Sequence, residues 1–327
     1  MSNDLLSDVL DLVHLTGALI FELDITGGWS IASNPTIEKF APLLRPGTTN
    51  VITFHVVLEG ECWVRFPSAD WTAVPMGHAV VITHNQPHEL CDRPGRKAVP
   101  FETVLGECSL QDVRRVRFDL GDGGTTRLLC GFLGCDRRAF DPLCASLPAL
   151  FQVDLGERMQ TLLPYAIANA LDDSPGAAAL RGHVAELLYL GAVRLYMRGL
   201  PQDASGWLAG LRDPAIGRAL QALHAQPARH WSVGDLAAVA ASSRSVIAAR
   251  FAQMLGETPM HYLTRLRMSL AARQLTDSHK SIAAIADEVG YGSPAAFQHA
   301  FRRDFNMPPA AWRKNAAGGA QRSVDSR

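Results

Sequence analysis

Trp231-Ser232-Val233-Gly234-Asp235-Leu236-Ala237-Ala238-Val239-Ala240 is followed by Ala241-Ser242-Ser243 and then by Arg244 through Phe251. Ser281-Ile282-Ala283-Ala284-Ile285-Ala286-Asp287-Glu288-Val289-Gly290 is followed by Tyr291-Gly292-Ser293 and then by Pro294 through Phe301. Each segment predicts a short helix, a three-residue turn, and a second helix opened by a serine whose hydroxyl can accept from the helix's first N–H groups. Pro294, directly after Ser293, suits the first helical turn, where its missing N–H costs nothing. The small residues Ala237, Ala283 and Ala284 let the first helix of each pair approach the second. The spacing predicts helix-turn-helix geometry twice, about 50 residues apart.

The faces of the second helices follow from a rotation of about 100° per residue. Ile247 and Phe251, four apart, form the buried edge of the first, and Phe297 and Phe301 do so in the second. Ser245 and Ala249 then lie outward with Ala248 on the flank; Ala295 and His299 lie outward with Gln298 and Arg302 beside them. These are the positions that would meet base edges in a major groove. Arg244, Arg250, Arg302 and Arg303 are placed for phosphates. The outward face of Ser245, Ala248 and Ala249 lacks the Arg, Gln and Asn that read bases, so the first helix is the weaker reader.

Charge divides the chain in the same place. The net charge is −1, yet residues 1–210 carry 16 Lys and Arg against 24 Asp and Glu, while residues 211–315 carry 13 against 7. A basic unit joined to an acidic one points to double-stranded DNA as the partner of the C-terminal part only. With 47% apolar and 19% charged residues over 327 positions, the chain has core enough for two or three domains, which excludes disordered and collagen-like classes. No apolar run is long enough to span a bilayer, so no membrane partner is expected. The first residues carry Asp4, Asp8 and Asp11 and no Lys or Arg before Lys39, unlike a secretory signal, so a cytoplasmic protein is expected. Six cysteines without repeated spacing are not a disulfide framework.

Residues 16 to about 135 alternate short β-branched runs with Gly and Pro breaks, the pattern of an antiparallel sandwich or barrel. A helical period follows, with one helix over about 155–171 and another over about 177–199. In the second, Leu180, Val184, Leu187, Gly191 and Leu195 form a stripe, with Leu188, Leu190 and Val193 beside it. A stripe that wide is buried, either on the β domain or in a homodimer interface. Pro201 to Gly206 is a linker, and residues 315–327 read as a disordered tail.

The run Trp231–Arg313 resembles the C-terminal DNA-binding domain of AraC/XylS-type transcription regulators. The matching words include Trp231-Ser232-Val233, Arg250-Phe251, Gly256-Glu257-Thr258-Pro259-Met260, Arg265-Leu266-Arg267-Met268, Val289-Gly290-Tyr291-Gly292-Ser293 and Phe301-Arg302-Arg303. The resemblance implies two three-helix subdomains joined by a helix over about Pro259–Asp277, and RNA polymerase as a further partner. Further upstream, Thr53-Phe54-His55-Val56-Val57-Leu58-Glu59-Gly60, Val74-Pro75-Met76-Gly77-His78 and Pro87-His88 resemble the paired motifs of a cupin barrel. More particularly, this part resembles the cupin sensor of an AraC-type subgroup that includes reactive-chlorine-sensing regulators.

An enzymatic cupin holds its metal with His-x-His, a Glu and a distant His. Thr53 stands where the first His would be, and His55, Glu59 and His88 remain. They are the candidate effector-binding set and, for a divalent metal, the candidate ligands; hydrogen bonding within a ligand-binding interior is the plainer role for the same side chains. Cys130 and Cys135, five apart across an expected bend at Gly134, are the candidate redox pair, with Arg127, Arg137 and Arg138 supplying positive charge. Ordinary reduced thiols are the alternative.

The fold class expected is α+β: an antiparallel cupin-like β-barrel over 9–150, a helical linker and dimerisation region over 151–205, and an all-α DNA-binding domain with two helix-turn-helix motifs over 207–314. The function expected is a non-enzymatic, sequence-specific transcription regulator whose cupin half senses a small effector. A thiol-gated regulator responding to an oxidant, and a metal-dependent cupin enzyme fused to a DNA-binding module, are the competing readings.

Overall fold

The computed structural model describes Leu5, residues 15–40, 48–106, Cys108, 112–135, Leu143 and 146–315. The tail from 316 onward, Arg137 and Arg138 lie outside the described residues. The chain divides into two compact units, one holding residues 15–135 and 147–199 and the other residues 200–315.

In the first unit the elements run β1 (Leu15–Thr26), β2 (Ser30–Ser33), α1 (Ile37–Phe40), β3 (Asn50–Glu59), β4 (Cys62–Arg65), β5 (Thr72–Val74), β6 (His78–Ile82), β7 (His88–Cys91), β8 (Val99–Pro100), α2 (Phe101–Leu105), β9 (Arg115–Asp119), β10 (Thr125–Cys135), β11 (Leu150–Asp154), α3 (Gly156–Gln160), α4 (Leu163–Leu171) and α5 (Ala177–Gly199). The strands form two sheets, a six-stranded one in the order β11-β6-β3-β10-β1-β9 and a five-stranded one in the order β5-β4-β7-β2-β8. Among the described residues no hydrogen-bonded ladder closes them into a barrel.

Successive side chains of a strand point to opposite faces, and residues directly opposite on paired strands share a face. Phe21 opposes Cys130, and Cys130 opposes His55. Leu19, Phe21, Leu23, Leu128, Cys130, Phe132, Val51, Val57, Val80 and Ile82 therefore face inward from the larger sheet, and pack with Ile31, Cys62, Val64 and Leu90 of the smaller one in a single core. The other face of the larger sheet is covered by α5: Leu188, Tyr189 and Ala192 meet Phe54, Val56 and Val81, and Phe151 stacks on Tyr196 at 4.7 Å. Residue 131 opposes Phe54 on that outer face, and glycine leaves room for the Phe54 ring, since a Cβ there would come within 2.2 Å of it.

Thus the second helix of the expected linker folds onto the sheet-rich unit. Its stripe is not buried throughout. Val184, Leu188 and Val193 are buried, whereas Leu180 and Leu187 are 44% and 50% exposed. The sheet thus covers only one side of the wide stripe and leaves Leu180 and Leu187 open.

The second unit is helical: α6 (Trp207–Arg212), α7 (Pro214–Ala225), α8 (Val233–Val239), α9 (Arg244–Leu255), α10 (Pro259–Asp277), α11 (Ile282–Glu288) and α12 (Pro294–Phe305). Ser232 and Asp235 form a reciprocal capping box on α8. Ser243 accepts from the Val246 N–H, Ser281 from Ala284 and Ser293 from Ala296. Asp213 accepts from both Ala215 and Ile216 at 2.9 Å, which anchors α7. The turn after α8 and the turn after α11 carry the same bond, from Ser242 N–H to Ala237 C=O and from Tyr291 N–H to Ala286 C=O, each at 2.9 Å. Gly290 is required in the second: its φ is +82°, and a Cβ would come within 2.4 Å of the Ala228 carbonyl oxygen. No helix among the described residues is long and apolar enough to cross a membrane.

Candidate nucleic-acid interface and the interior of the sheet-rich unit

On α9 and α12 the apolar positions are fully buried, with Ile247, Phe251, Phe297 and Phe301 each at 0% exposure. The opposite faces are open. Arg244, Ser245, Ala249, Arg250, Ala295, Gln298, His299, Arg302 and Arg303 are exposed and Ala248 is half-buried. The exposed Val246 belongs to the same face of α9, at a position the rotation count does not single out; its methyls would suit an apolar contact with a thymine methyl.

The arginines divide by what they hold. Arg250, expected at a phosphate, also holds Asp213, donating from Nε to the carboxylate at 2.9 Å. It thereby ties α9 to the N-terminus of α7, a partner 37 residues away in sequence. Arg303 pairs with its neighbour Asp304 at 3.1 Å. Arg302 makes no ion pair among the described residues. Other cations of this unit are structural: Arg218 donates to Ala240 C=O, Arg267 to Pro227 and Arg229 C=O, and Arg313 to Leu275 and Lys280 C=O. Guanidinium groups satisfy loop carbonyls that helix ends leave without partners. The basic balance of this half is therefore only partly available to a polyanion.

In the sheet-rich unit, His55 on β3 and His88 on β7 come together across the interior. His88 Nδ1 lies 3.0 Å from the Gln86 carbonyl oxygen and so carries the proton that it donates there. In a neutral ring His88 Nε2 is then an acceptor, and it takes the N–H of His55 Nε2 at 3.1 Å. His55 Nδ1 in turn accepts from the Cys130 thiol at 3.1 Å. One run of hydrogen bonds thus links Cys130, His55, His88 and the backbone with every group neutral.

Burial favours that state. It pushes His88 down to about 4, against the opposing pull of its bond to Gln86. It lowers His55 well below the usual imidazole range, with His88 adding to the effect. It raises the Cys130 thiol far above the usual range, with Cys62 nearby as a second cause.

Glu59 does not join them. A register shift between Arg127 and Leu128 sets Glu59 opposite Arg127, whose side chain lies on the outer face. Glu59 is exposed there, 3.7 Å from the Arg127 guanidinium. The expected metal set of His55, Glu59 and His88 is thus not assembled, and no group of three His, Cys, Asp or Glu able to hold a metal is found among the described residues. The two imidazoles are already bonded to each other, so the donor set does not fit a cupin metal. The buried Thr53 hydroxyl, on the same face two residues before His55, has no hydrogen-bond partner.

The pairing expected of Cys130 and Cys135 is also corrected. β10 runs through Gly134 without a bend. Five residues along a strand separate the two by roughly 16 Å and turn them to opposite faces, beyond the reach of a disulfide. Cys62, Cys91, Cys130 and Cys135 are all buried thiols. Burial raises Cys91 to about 11 and Cys62 further still. A protonated, enclosed thiol is a poor nucleophile. Alkylation with iodoacetamide at neutral pH is therefore expected to leave Cys130 unlabelled in the folded chain and to label it in denaturant; rapid labelling of the folded chain at Cys130, read by peptide mass, would restore the thiol-gated reading.

Sequence reasoning misses a second buried polar centre. Glu22 is fully buried on the outer face of β1, yet it accepts from Arg115 Nε at 2.6 Å and from Arg127 Nε at 3.0 Å. The strand pairing that joins these three leaves no local signal.

Comparison with known proteins agrees with the two units. A family model described as Cupin matches residues 4–198, and one described as Helix-turn-helix domain matches residues 236–315. An AraC-like transcription regulator of Streptomyces lividans is 34% identical over 95% of this chain and 98% of its own. The HTH-type transcriptional regulator AlkR of Acinetobacter baylyi is 27% identical over 96% of this chain and 100% of its own. Among solved structures, the DNA-binding domain of AdpA, the global transcriptional factor, in complex with a target DNA is 34% identical, covering 34% of this chain and 97% of that one with a TM-score of 0.31.

Proposed function

The chain belongs to the AraC-type family of DNA-binding transcription regulators, and on that premise we propose that its cupin-like unit senses a small effector and that its two capped helix pairs read one operator. The observation that carries the reading is the division of α9 and α12 into a wholly buried apolar edge and an exposed face. Each helix is held from behind, as a reading helix must be if its outward side chains are to keep register with base edges. On α12 that face offers Gln298 and His299 to bases and Arg302 to phosphate. On α9 it offers Ser245, Val246 and Ala249, a face better suited to shape and methyl contacts than to bidentate hydrogen bonds. The protein acts in the cytoplasm, without a membrane, as a homodimer that contacts RNA polymerase. The exposed Leu180 and Leu187 edge of α5 supports the dimer, since two apolar side chains seven apart lie on one stripe.

The test is selection of binding sites from random DNA with the full chain. His299→Ala and Gln298→Ala are expected to relax preference at a few positions, costing roughly 1–3 kcal/mol there. Arg302→Ala is expected to weaken all sites about equally and to flatten the salt dependence by about one counterion. If both kinds of substitution changed affinity alike at every site, the face assignment would fail.

A further inference from the structure

A cavity of about 600 Å³ opens in the sheet-rich unit, away from the histidine pair. Its walls are chiefly apolar: Ile25 of β1, Trp29 and Ile31 beside and within β2, Val104 of α2, Phe118 of β9 and the following Leu120. Neither His55 nor His88 lines it. Its volume falls in the range of small-molecule sites, about 300–1,000 Å³.

Two kinds of polar group interrupt this lining. The first is buried. Trp29 and Ser30 are 2% and 5% exposed, and the Trp29 indole N–H and the Ser30 hydroxyl have no hydrogen-bond partner. Ser30 opposes Cys91 and turns to the other face of β2, whereas Trp29 shares the inward face with Ile31. A buried donor is nearly always satisfied, so the Trp29 indole N–H at this wall points to an acceptor supplied from outside the chain. The second is cationic. Arg96 and Lys97 both line the cavity. Arg96 is neutralised by Asp92, to which it donates at 2.7 and 3.1 Å, and Asp92 Oδ1 also accepts from the Trp29 backbone N–H at 3.1 Å. Its guanidinium lies directly against Gly28, where a Cβ would come within 2.2 Å of its Cζ. Asp92 thus fixes this wall, and Lys97 beside it is exposed with no ion pair among the described residues.

The apolar walls suit a hydrocarbon body, the Trp29 indole N–H suits an acceptor oxygen, and the uncompensated ammonium suits a negative charge. Val99 and Leu120 are 44% and 53% exposed and also line the cavity, so the apolar surface continues to solvent as an entry.

We propose that this cavity is the effector site, and that it takes a small organic anion with an apolar body, such as an aliphatic or aromatic acid. The proposal rests on the reading of this unit as a sensor. It moves the site from the histidine pair, whose hydrogen bonds are already complete, to the groups that lack partners.

The experiment titrates the full chain with anilinonaphthalene sulfonate and with its uncharged parent, phenylnaphthylamine, and follows fluorescence. Lys97→Glu is exposed and reverses the charge without disturbing the core. Thr103→Trp, on the exposed side of α2 yet lining the cavity, fills it. The anionic probe is expected to bind saturably, to weaken about tenfold on Lys97→Glu, and to be lost on Thr103→Trp. The uncharged probe is expected to ignore Lys97→Glu and to be lost on Thr103→Trp. Equal anionic binding by wild type and Lys97→Glu, or unchanged binding by Thr103→Trp, would overturn the proposal; circular dichroism checks that both variants fold. DNA affinity is read in the same samples against a fragment selected by the protein. A chain that binds the probe in the expected pattern but binds no DNA sinks the regulator reading and leaves the cavity. A chain that binds DNA while its probe binding ignores both substitutions sinks the cavity and leaves the regulator.

Discussion

Phe297→Ala will weaken DNA binding sharply by destabilising the last helix pair, while the sheet-rich unit stays intact. Phe297 is fully buried on α12 and packs against Tyr291 and Phe301, each with ring centroids 5.7 Å away. Phe301 passes the contact on to Phe305 at 4.5 Å and Trp312 at 5.9 Å. With Ile285, Ala286 and Val289 of the partner helix these rings make up most of a small separate core. Removing a ring from such a site costs about 3–5 kcal/mol, because the lost burial is joined by a cavity that the surroundings fill only in part. Whole domains are stable by only about 5–15 kcal/mol. Gln298→Ala, one residue along the same helix but exposed, should change stability by less than about 0.5 kcal/mol. The pair separates folding from reading: urea denaturation followed by circular dichroism should shift for Phe297→Ala alone. If Phe297→Ala denatured at the wild-type midpoint, α12 would not be held by this core.

The range of the forces involved decides which features are legible in the sequence. The helix pairs are legible because their signals are local. A capping serine, apolar positions four apart and a glycine in the turn all act within a few residues, and Ser243, Ser293, Phe297 and Gly290 sit where that reasoning puts them. The convergence of His55 and His88 is legible only through the resemblance to the paired cupin motifs, which implies facing strands. Inferences that need strand register or distant partners fail. Glu59 groups with His55 if residues four apart on a strand share a face; a single register shift between Arg127 and Leu128 moves it to the outside. Cys130 and Cys135 can pair only across a bend that the ladder to β3 does not allow, since it runs unbroken from Leu128 to Cys135. Arg250 is placed for a phosphate by its helix face, and its pairing with Asp213, brought to it by packing of α9 and α7, leaves no sign in the nearby sequence. Trp29, Lys97 and Phe118 come from three separate segments, and only the fold makes them neighbours of one space.

Both units will lose stability together as pH falls from 6.5 toward 4, because each encloses a neutral histidine. In the helical unit, Tyr262 accepts from the Trp207 indole at 2.9 Å and donates to His224 Nε2 at 2.8 Å. Burial holds His224 at about 4, against an ordinary 6.5. His88 in the sheet-rich unit is held at about 4 as well, with His55 displaced in the same direction. In the unfolded chain each histidine takes up its proton near 6.5, while in the folded chain His224 and His88 resist until about 4. The unfolded state therefore binds more protons throughout that interval, and stability falls as pH falls through it. For His224 and for His88 a displacement of this size corresponds to roughly 3 kcal/mol, of which about 2 kcal/mol is already lost by pH 5. Few carboxylates titrate between 6.5 and 5, so the loss belongs to the histidines. His224→Gln supplies an amide oxygen for the Tyr262 hydroxyl and cannot titrate. The helical unit of that variant should melt at the same temperature at pH 7 and pH 5, while the sheet-rich unit keeps its acid sensitivity. An equal loss of helical stability in wild type and His224→Gln over this interval would show that the buried tyrosine–histidine bond is not what acid breaks.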